Sequence, residues 1–331
     1  MKIGIIFVVI IGIGVVSFIM FKIKNHSKKL QESKFNHTIL PRINLELLKL
    51  YSVLYEYNGD FDRAITDYTE ALKIKPEDYE LLKLRGVIYE CNGDFDRAIT
   101  DYTEALKIKP EDYDVLYLRG RVYDDHKGDF DQAIADYTEL LRRSPDNTEI
   151  LKLRSDAYCK KGDFDRAIVY YNELLRINTH DVNALELRSN AYRNKGDFDR
   201  AIADCNEALK IIIDIKIESN LNRLLYDLYR NSILEHRGRA YADKGDFDQA
   251  IIDYTEALKI GIEGGKGKIL KLRSNAYYLK GNYNQAIKDL KAVLKIDPYD
   301  VEAEKSLKEI RQKKGWKMGK LIWNIKIGGS K

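Results

Sequence analysis

Proline is scarce in this sequence, with five residues in 331. So few prolines argue against a loop-rich or all-β protein and leave helix as the expected structure. Cysteine is scarcer still: Cys91, Cys159 and Cys205 are odd in number and widely spaced, which predicts free thiols rather than a disulfide framework or a zinc site. The five histidines show no ligand spacing, so we expect them at the surface and expect no metal and no cofactor.

Acidic residues are missing from the carboxyl-terminal residues 310–331, which hold seven lysines and arginines. A second basic cluster follows Phe21, and the body between the two clusters is net acidic. Phosphate contacts need a concentrated cationic face, so we expect no nucleic-acid partner. The basic ends are better suited to an anionic membrane surface.

One long uncharged run is present. Residues 3–21 reach about 28 Å as a helix, nearly the thickness of a bilayer core, which predicts a transmembrane anchor at 1–21 and a basic juxtamembrane linker at 22–44. A signal peptide usually has a shorter apolar region that ends at small residues, whereas Val15-x-Ser17 lies inside the run. The lysines after the run favour a single-pass protein with a cytoplasmic body. A cleaved run would instead give a periplasmic or exported protein.

The phrase Gly-Asp-Phe-Asp-Arg-Ala-Ile recurs along the body. It begins at Gly59, Gly93, Gly162 and Gly196, with close copies at Gly128 and Gly245 and a looser copy at Gly281. Successive spacings are 34, 35, 34, 34, 49 and 36 residues. Within each unit of 34 residues, position 8 is small, position 11 is tyrosine, position 20 is alanine and position 24 is usually tyrosine. Small residues at 8 and 20 allow two antiparallel helices to approach closely, and the tyrosines fill the space beside them.

This period and pattern resemble the tetratricopeptide repeat (TPR). The resemblance implies an all-α fold, a right-handed αα superhelical solenoid of seven units with a carboxyl-terminal capping helix, preceded here by the transmembrane helix. The seven units are 45–78, 79–112, 113–147, 148–181, 182–215, 231–264 and 267–300. A helical segment is inserted at 216–230, where self-packing of its apolar residues is favoured over contact with a partner. Residues 301–314 form the cap, and 315–331 form a basic amphipathic tail that either folds back over the cap or touches anionic lipid.

Two charged positions also recur. Position 7 is arginine in six units (Arg85, Arg119, Arg154, Arg188, Arg237 and Arg273), and position 23 is aspartate in six (Asp67, Asp101, Asp136, Asp204, Asp253 and Asp289). The two positions come opposite one another in an antiparallel pair, which predicts a structural ladder in preference to an anion-binding arginine stripe.

No catalytic arrangement stands out, so we expect a scaffold and not an enzyme. Positions 2, 5, 9, 12 and 13 of the first helices remain for a protein or peptide partner in a concave groove, because positions 8, 11, 20 and 24 are committed to packing. The candidate partner-binding residues are Lys49, Lys83, Tyr117, Arg121, Lys152, Asn190, Arg193, Lys271, Asn275 and Tyr278. Tyr117 and Arg121 lead, since these residue types often dominate binding energy at interfaces.

The expected ligand is a mixed peptide with apolar anchors and some acidic residues. Lys271 and Asn275 match two positions of the clamp by which some relatives hold a chaperone's terminal carboxylate, but no repeat follows to complete it. The alternatives to a membrane-anchored scaffold are a non-catalytic docking or regulatory subunit of a membrane-associated enzyme complex, and an exported periplasmic TPR module. The expected membrane contact involves residues 3–21, with the tail as a second candidate, and the pattern specifies no oligomeric state.

Overall fold

The computed structural model describes residues 59–214 and 220–328, and this part of the chain contains helices and turns but no strand. The predicted anchor, the linker and Lys49 lie outside the described residues. The fourteen α-helices of the described residues are α1 (Phe61–Ile74), α2 (Tyr79–Cys91), α3 (Phe95–Ile108), α4 (Tyr113–Val122), α5 (Phe130–Arg143), α6 (Thr148–Lys161), α7 (Phe164–Ile177), α8 (Val182–Lys195), α9 (Phe198–Ile213), α10 (Asn220–Lys244), α11 (Phe247–Ile260), α12 (Lys266–Leu279), α13 (Tyr283–Ile296) and α14 (Val301–Gly328). None of these described helices combines the length and apolar composition that crossing a bilayer requires.

The recurring Gly-Asp phrase forms the turn between the two helices of each repeat. Gly162 ends α6 with φ of +86°, a left-handed conformation that glycine adopts at little cost. Asp163 then caps α7 by accepting a hydrogen bond of 3.2 Å from the backbone N–H of Arg166. The phrase therefore stops one helix and starts the next within three residues.

The core of each repeat lies where its two helices cross. Tyr102 and Tyr254, both at position 24, are almost fully buried. Their rings occupy the space opposite Gly86 and Gly238 at position 8, where an added Cβ would lie 2.6 Å from the nearest ring carbon. Neither helix covers its apolar face alone, so the pair forms the packing unit.

The chain divides into two compact units, one ending at Lys127 and the other beginning at Gly128. In the first unit α2 packs against both α1 and α3, and α3 packs against α4. In the second unit each helix from α5 to α14 packs on the next, and the first helices α6, α8, α10 and α12 also contact one another in sequence. The first helices of the second unit thus form one continuous layer.

The extra residue predicted in the third repeat is accommodated by a turn of π-helix. This turn, Tyr123–Lys127, directly continues α4, and the ring of His126 stacks on Phe95 at 4.0 Å. A π-turn takes up one additional residue without breaking the helix.

The insertion lengthens the helices on both sides of it. α9 continues to Ile213, and α10 runs for 25 residues from Asn220. Residues 215–219 lie outside the described part. We expected the apolar side chains here to pack on one another, but Leu224, Leu225, Leu228 and Tyr229 are all exposed, Leu224 by 55%.

The last helix takes the place of a further repeat's first helix. Ala303, Leu307 and Ile310 are buried in one cluster with Leu290 and Val293 of the seventh repeat. Lys308 and Glu304 pair at 3.0 Å on the surface that a second helix would otherwise cover. The predicted cap is therefore present, and its helix continues without a break from Val301 to Gly328.

Candidate functional site

The candidate residues within the described part of the chain lie on the first helices, at positions 5, 9 and 12 of their repeats. In each unit, we call the surface formed by positions 2, 5, 9, 12 and 13 the first-helix face. In the first unit, Lys83 at position 5 of α2 donates to Asp114 at position 2 of α4, with Nζ to Oδ2 at 2.7 Å. The Lys83 side chain is only 21% exposed. Its charge is therefore already balanced by the following repeat.

Tyr117 and Arg121 lie together on α4. Tyr117 is half-buried, whereas Arg121 is exposed and donates two hydrogen bonds of 2.9 and 2.6 Å to Oδ2 of Asp125 in the π-turn. The bonds to Asp125, and a weaker one to Tyr117, raise the pKa of Arg121 above its ordinary value. The pair therefore offers the aromatic ring of Tyr117 beside the guanidinium of Arg121, which Asp125 of the same repeat holds in place.

In the second unit, the middle of the first-helix face is built around Glu186 of α8. Its Oε1 accepts a 2.5 Å hydrogen bond from Ser232 Oγ and lies 3.0 Å from Nδ1 of His236, both on α10. Burial would raise the pKa of Glu186, but hydrogen bonds from His236 and Ser232, together with the charge of Lys152, lower it. We expected every histidine at the surface, yet the side chain of His236 is 22% exposed and serves as a contact between repeats.

A second buried carboxylate, Glu235, joins α10 to α12. Its Oε1 lies 2.9 Å from Arg239 Nη2 and 2.7 Å from Lys268 Nζ, and the residue is 7% exposed. Two cations therefore share the carboxylate of Glu235 at this point of the face.

Asn190 and Arg193 lie one turn apart on α8. Arg193 donates to Asn190 Oδ1 at 3.2 Å and, from its other terminal nitrogen, to Asp243 Oδ2 of α10 at 2.9 Å. The structure therefore brings both predicted residues together. The contact of Arg193 with Asp243 was not predicted from the repeat pattern.

The remaining candidates line a cleft of about 500 Å³ between α12 and α14. Lys271 donates to Glu302 at 2.7 Å and lies 3.2 Å from Asp300, and the bond to Glu302 raises the pKa of Lys271. Asn275 is exposed in the cleft, and the hydroxyl of Tyr278 accepts from Lys313. Of the two residues that resemble the clamp, Lys271 is thus neutralised by Glu302 of α14 and by Asp300 just before that helix.

Two of the tyrosines at position 24 place their hydroxyl groups against residues of the first-helix face. The hydroxyl of Tyr102 donates to Glu90 at 2.8 Å, and that of Tyr171 donates to Asp156 at 2.5 Å. Burial raises the pKa of both phenols, so they act as hydrogen-bond donors and not as phenolates.

The predicted arginine–aspartate ladder is confirmed in four of the repeats. Bidentate pairs with nitrogen–oxygen distances of 2.6–2.8 Å join Arg85 to Asp101, Arg188 to Asp204, Arg237 to Asp253 and Arg273 to Asp289. In the fourth repeat, position 23 is Tyr170, and Arg154 lies 3.9 Å from the centre of its ring.

These arginines also bind the preceding repeat. Arg85 donates to Thr69 at 3.1 Å, Arg188 donates to Asn172 at 2.6 Å and Arg273 donates to Thr255 at 3.0 Å. All three acceptors occupy position 25, where a polar residue recurs. The recurrence of a polar residue at position 25 was visible in the sequence. That it accepts a hydrogen bond from the arginine of the following repeat was not.

A second ladder was not predicted from the sequence. In five repeats, the lysine directly before the glycine of the turn meets the second aspartate of the Gly-Asp-Phe-Asp phrase in the preceding repeat, at 2.8 Å for Lys127 and Asp96 and 2.6 Å for Lys244 and Asp199. The further pairs are Lys161 with Asp131, Lys195 with Asp165 and Lys280 with Asp248. These carboxylates are largely exposed, so solvent screens each pair and its contribution to stability is small.

Two of the three free thiols, Cys159 and Cys205, are shielded by burial. Cys205 is buried and Cys159 half-buried, and burial raises their pKa values to about 12 and about 11. A thiol with a raised pKa is a poor nucleophile and a poor metal ligand at neutral pH. Across residues 59–214 and 220–328, no three metal-ligating side chains converge.

Models of the tetratricopeptide repeat match residues 53–113, 92–148, 126–191, 182–212, 232–260 and 267–300. The chain belongs to the tetratricopeptide-repeat family. The match at 267–300 has the limits that the sequence predicts for the seventh repeat. No protein with a curated description matches the chain.

Solved TPR structures share the fold. A tetratricopeptide repeat protein from Parabacteroides merdae aligns with a TM-score of 0.57 and 21% identity, over 81% of this chain and 98% of that one. The carboxyl-terminal part of a TPR repeat-containing protein from Cytophaga hutchinsonii aligns with a TM-score of 0.56 and 18% identity, over 78% and 98% of the two chains. Identities this low establish the fold alone.

Proposed function

We propose that this TPR protein is a membrane-anchored, non-catalytic scaffold that captures a segment of a partner protein on its first-helix face. The family supports a protein-binding role. The observation that carries the proposal is the first-helix face itself, where aromatic and amide side chains lie beside one another and a cleft of about 500 Å³ lies between α12 and α14.

The ion pairs on this face define the chemistry of the segment. Lys83, Arg193 and Lys271 are neutralised by Asp114, Asp243 and Glu302. A strongly acidic segment would have to displace these partners. We therefore favour a segment whose apolar side chains supply most of the binding energy, with acidic residues in a secondary role.

Attachment to the membrane is the second half of the proposal. It is supported by the apolar run at residues 3–21 and the lysines that follow it. The same lysines favour a cytoplasmic position for the repeats. In intact spheroplasts the repeats should then resist an added protease, and digestion from outside would place them in the periplasm.

Crosslinking pull-down from solubilised membranes tests the scaffold role, with and without residues 1–24. We expect a defined partner to be captured by the full chain and lost when Tyr117 and Arg121 are replaced. A partner retained by that variant would contradict a binding site on the first-helix face. An enzyme activity that co-purifies would identify the protein as a docking subunit.

A further inference from the structure

The last helix is much longer than the cap requires. α14 has 28 residues and therefore rises about 42 Å, whereas Ile310 is the last residue in the buried cluster among those of its side chains that are described. Lys313 and Lys314 make the last described contacts with the repeats, to the hydroxyl of Tyr278 and to Asn284. Residues 315–328 continue the same helix, so the chain makes no turn there by which the tail could fold back over the cap.

The sequence of this extension has a definite character. It has no acidic residue, and it contains lysines among two tryptophans and several aliphatic residues. Lys313, Lys317 and Lys320 follow at intervals of four and three residues, which places them on one side of the helix. Trp316 and Trp323 are seven residues apart and so also share a side.

We propose that residues 315–328 bind the surface of an anionic phospholipid bilayer, with the lysines at the headgroup phosphates and the tryptophans at the boundary of the acyl chains. A helical segment that contains tryptophan and lysine but no acidic residue, such as this extension, is typical of interfacial segments. Nucleic acid would engage the lysines but leave the aliphatic residues in water. A second copy would bring the basic extensions of two chains together.

This contact is separate from partner capture, and it does not require residues 3–21 to span the membrane. It would hold the seventh repeat, with its cleft, close to the lipid surface. A scaffold attached at the carboxyl-terminal end of its repeats would present a partner at a fixed height above the bilayer.

Tryptophan fluorescence offers a specific test, because the chain has two tryptophans and both lie in this extension. Vesicles of phosphatidylcholine alone, or mixed with phosphatidylglycerol, are added to the purified full chain. We expect the emission to shift to the blue and to be quenched by brominated acyl chains in the anionic vesicles. About 1 M salt should reverse both effects, since the screening length then falls to about 3 Å.

The matched variants each remove two positive charges. Lys317→Gln with Lys320→Gln should weaken partitioning into anionic vesicles about 25-fold, since each lysine near such a surface contributes roughly a factor of five. Lys73→Gln with Lys107→Gln, on exposed second-helix positions, should leave it unchanged.

Three results would overturn the proposal. Emission that is already blue-shifted without lipid would mean that the extension packs on protein. A shift that depends on protein concentration would indicate a second copy. An equal response to neutral and anionic vesicles would remove the role of the lysines. A failure of partner capture would leave all of these measurements unaffected.

Discussion

Arg188 and Asp204 face each other across the two helices of one repeat, joined by hydrogen bonds of 2.8 and 2.6 Å. The same guanidinium donates a third bond of 2.6 Å to Asn172 of the preceding repeat. Burial raises the pKa of Asp204, and the guanidinium opposes that shift. One side chain therefore holds together three helices.

Replacing Arg188 with alanine should destabilise the protein by about 3 kcal/mol, because it leaves a nearly buried carboxylate without its cation. Urea denaturation measures the loss. Arg176→Ala, at an exposed position of α7, should stay within about 0.5 kcal/mol of the parent. A double-mutant cycle with Asp204→Ala should show coupling, and simple additivity would mean that the two residues do not act as a pair.

Tyr170 replaces the aspartate of the ladder in the fourth repeat and lies under Arg154. Tyr170→Ala should cost about 1–2 kcal/mol, since it removes a cation–π contact to a buried guanidinium. Tyr170→Asp should be tolerated better, because it recreates the pair found in neighbouring repeats. Thermal melts show which of the two variants is more stable. A lower melting temperature for Tyr170→Asp than for Tyr170→Ala would contradict the idea that aspartate and tyrosine play the same role at position 23.

Gly238→Ala should destabilise the sixth repeat by about 1–3 kcal/mol, because the new Cβ would lie 2.6 Å from a ring carbon of the buried Tyr254. Gly267→Ala is the control, since its Cβ meets no atom within 4 Å. That change should be neutral or stabilising, as expected for alanine in a helix. Equal melting temperatures for the two variants would show that the close packing at position 8 does not limit the stability of the repeat.

Acid should weaken the joint between the fifth and sixth repeats. The pKa of Glu186 is lowered in the folded protein, so its contribution to stability is complete above the ordinary value of 4.5 and is lost as the pH falls through the lower folded value. Glu186→Gln should flatten this part of the profile of unfolding free energy against pH. Glu173→Gln on α7 should leave the profile as in the parent, and an unchanged profile in Glu186→Gln would contradict the assignment.

Replacing both Tyr117 and Arg121 with alanine should abolish partner capture. The melting temperature should change little, because Tyr117 is only half-buried and the ion pair of Arg121 is solvent-exposed. The comparison variant is Leu224→Ala with Leu228→Ala, on the exposed side of the inserted helix. Capture lost in the comparison variant and kept in the first would move the site to the insertion.

The sequence alone determined the repeat and the capped turn inside it. These features depend on residues a few positions apart, such as Gly162 and Asp163, whose conformations are set locally. The pairing of Arg188 with Asp204 could also be predicted, because the length of the turn fixes which residues of two antiparallel helices come opposite each other.

Only the tertiary structure decided what surrounds the candidate binding residues. Lys83 and Asp114 are 31 residues apart, as are Lys271 and Glu302, and each pair lies on different repeats. Which side chains meet across repeats depends on the rotation and offset of one helix pair on the next. Side-chain packing between repeats sets that geometry, so the recurring interval of 31 residues identifies a contact only once the packing is known. The same geometry leaves Asn275 exposed in its cleft while the lysine beside it is neutralised.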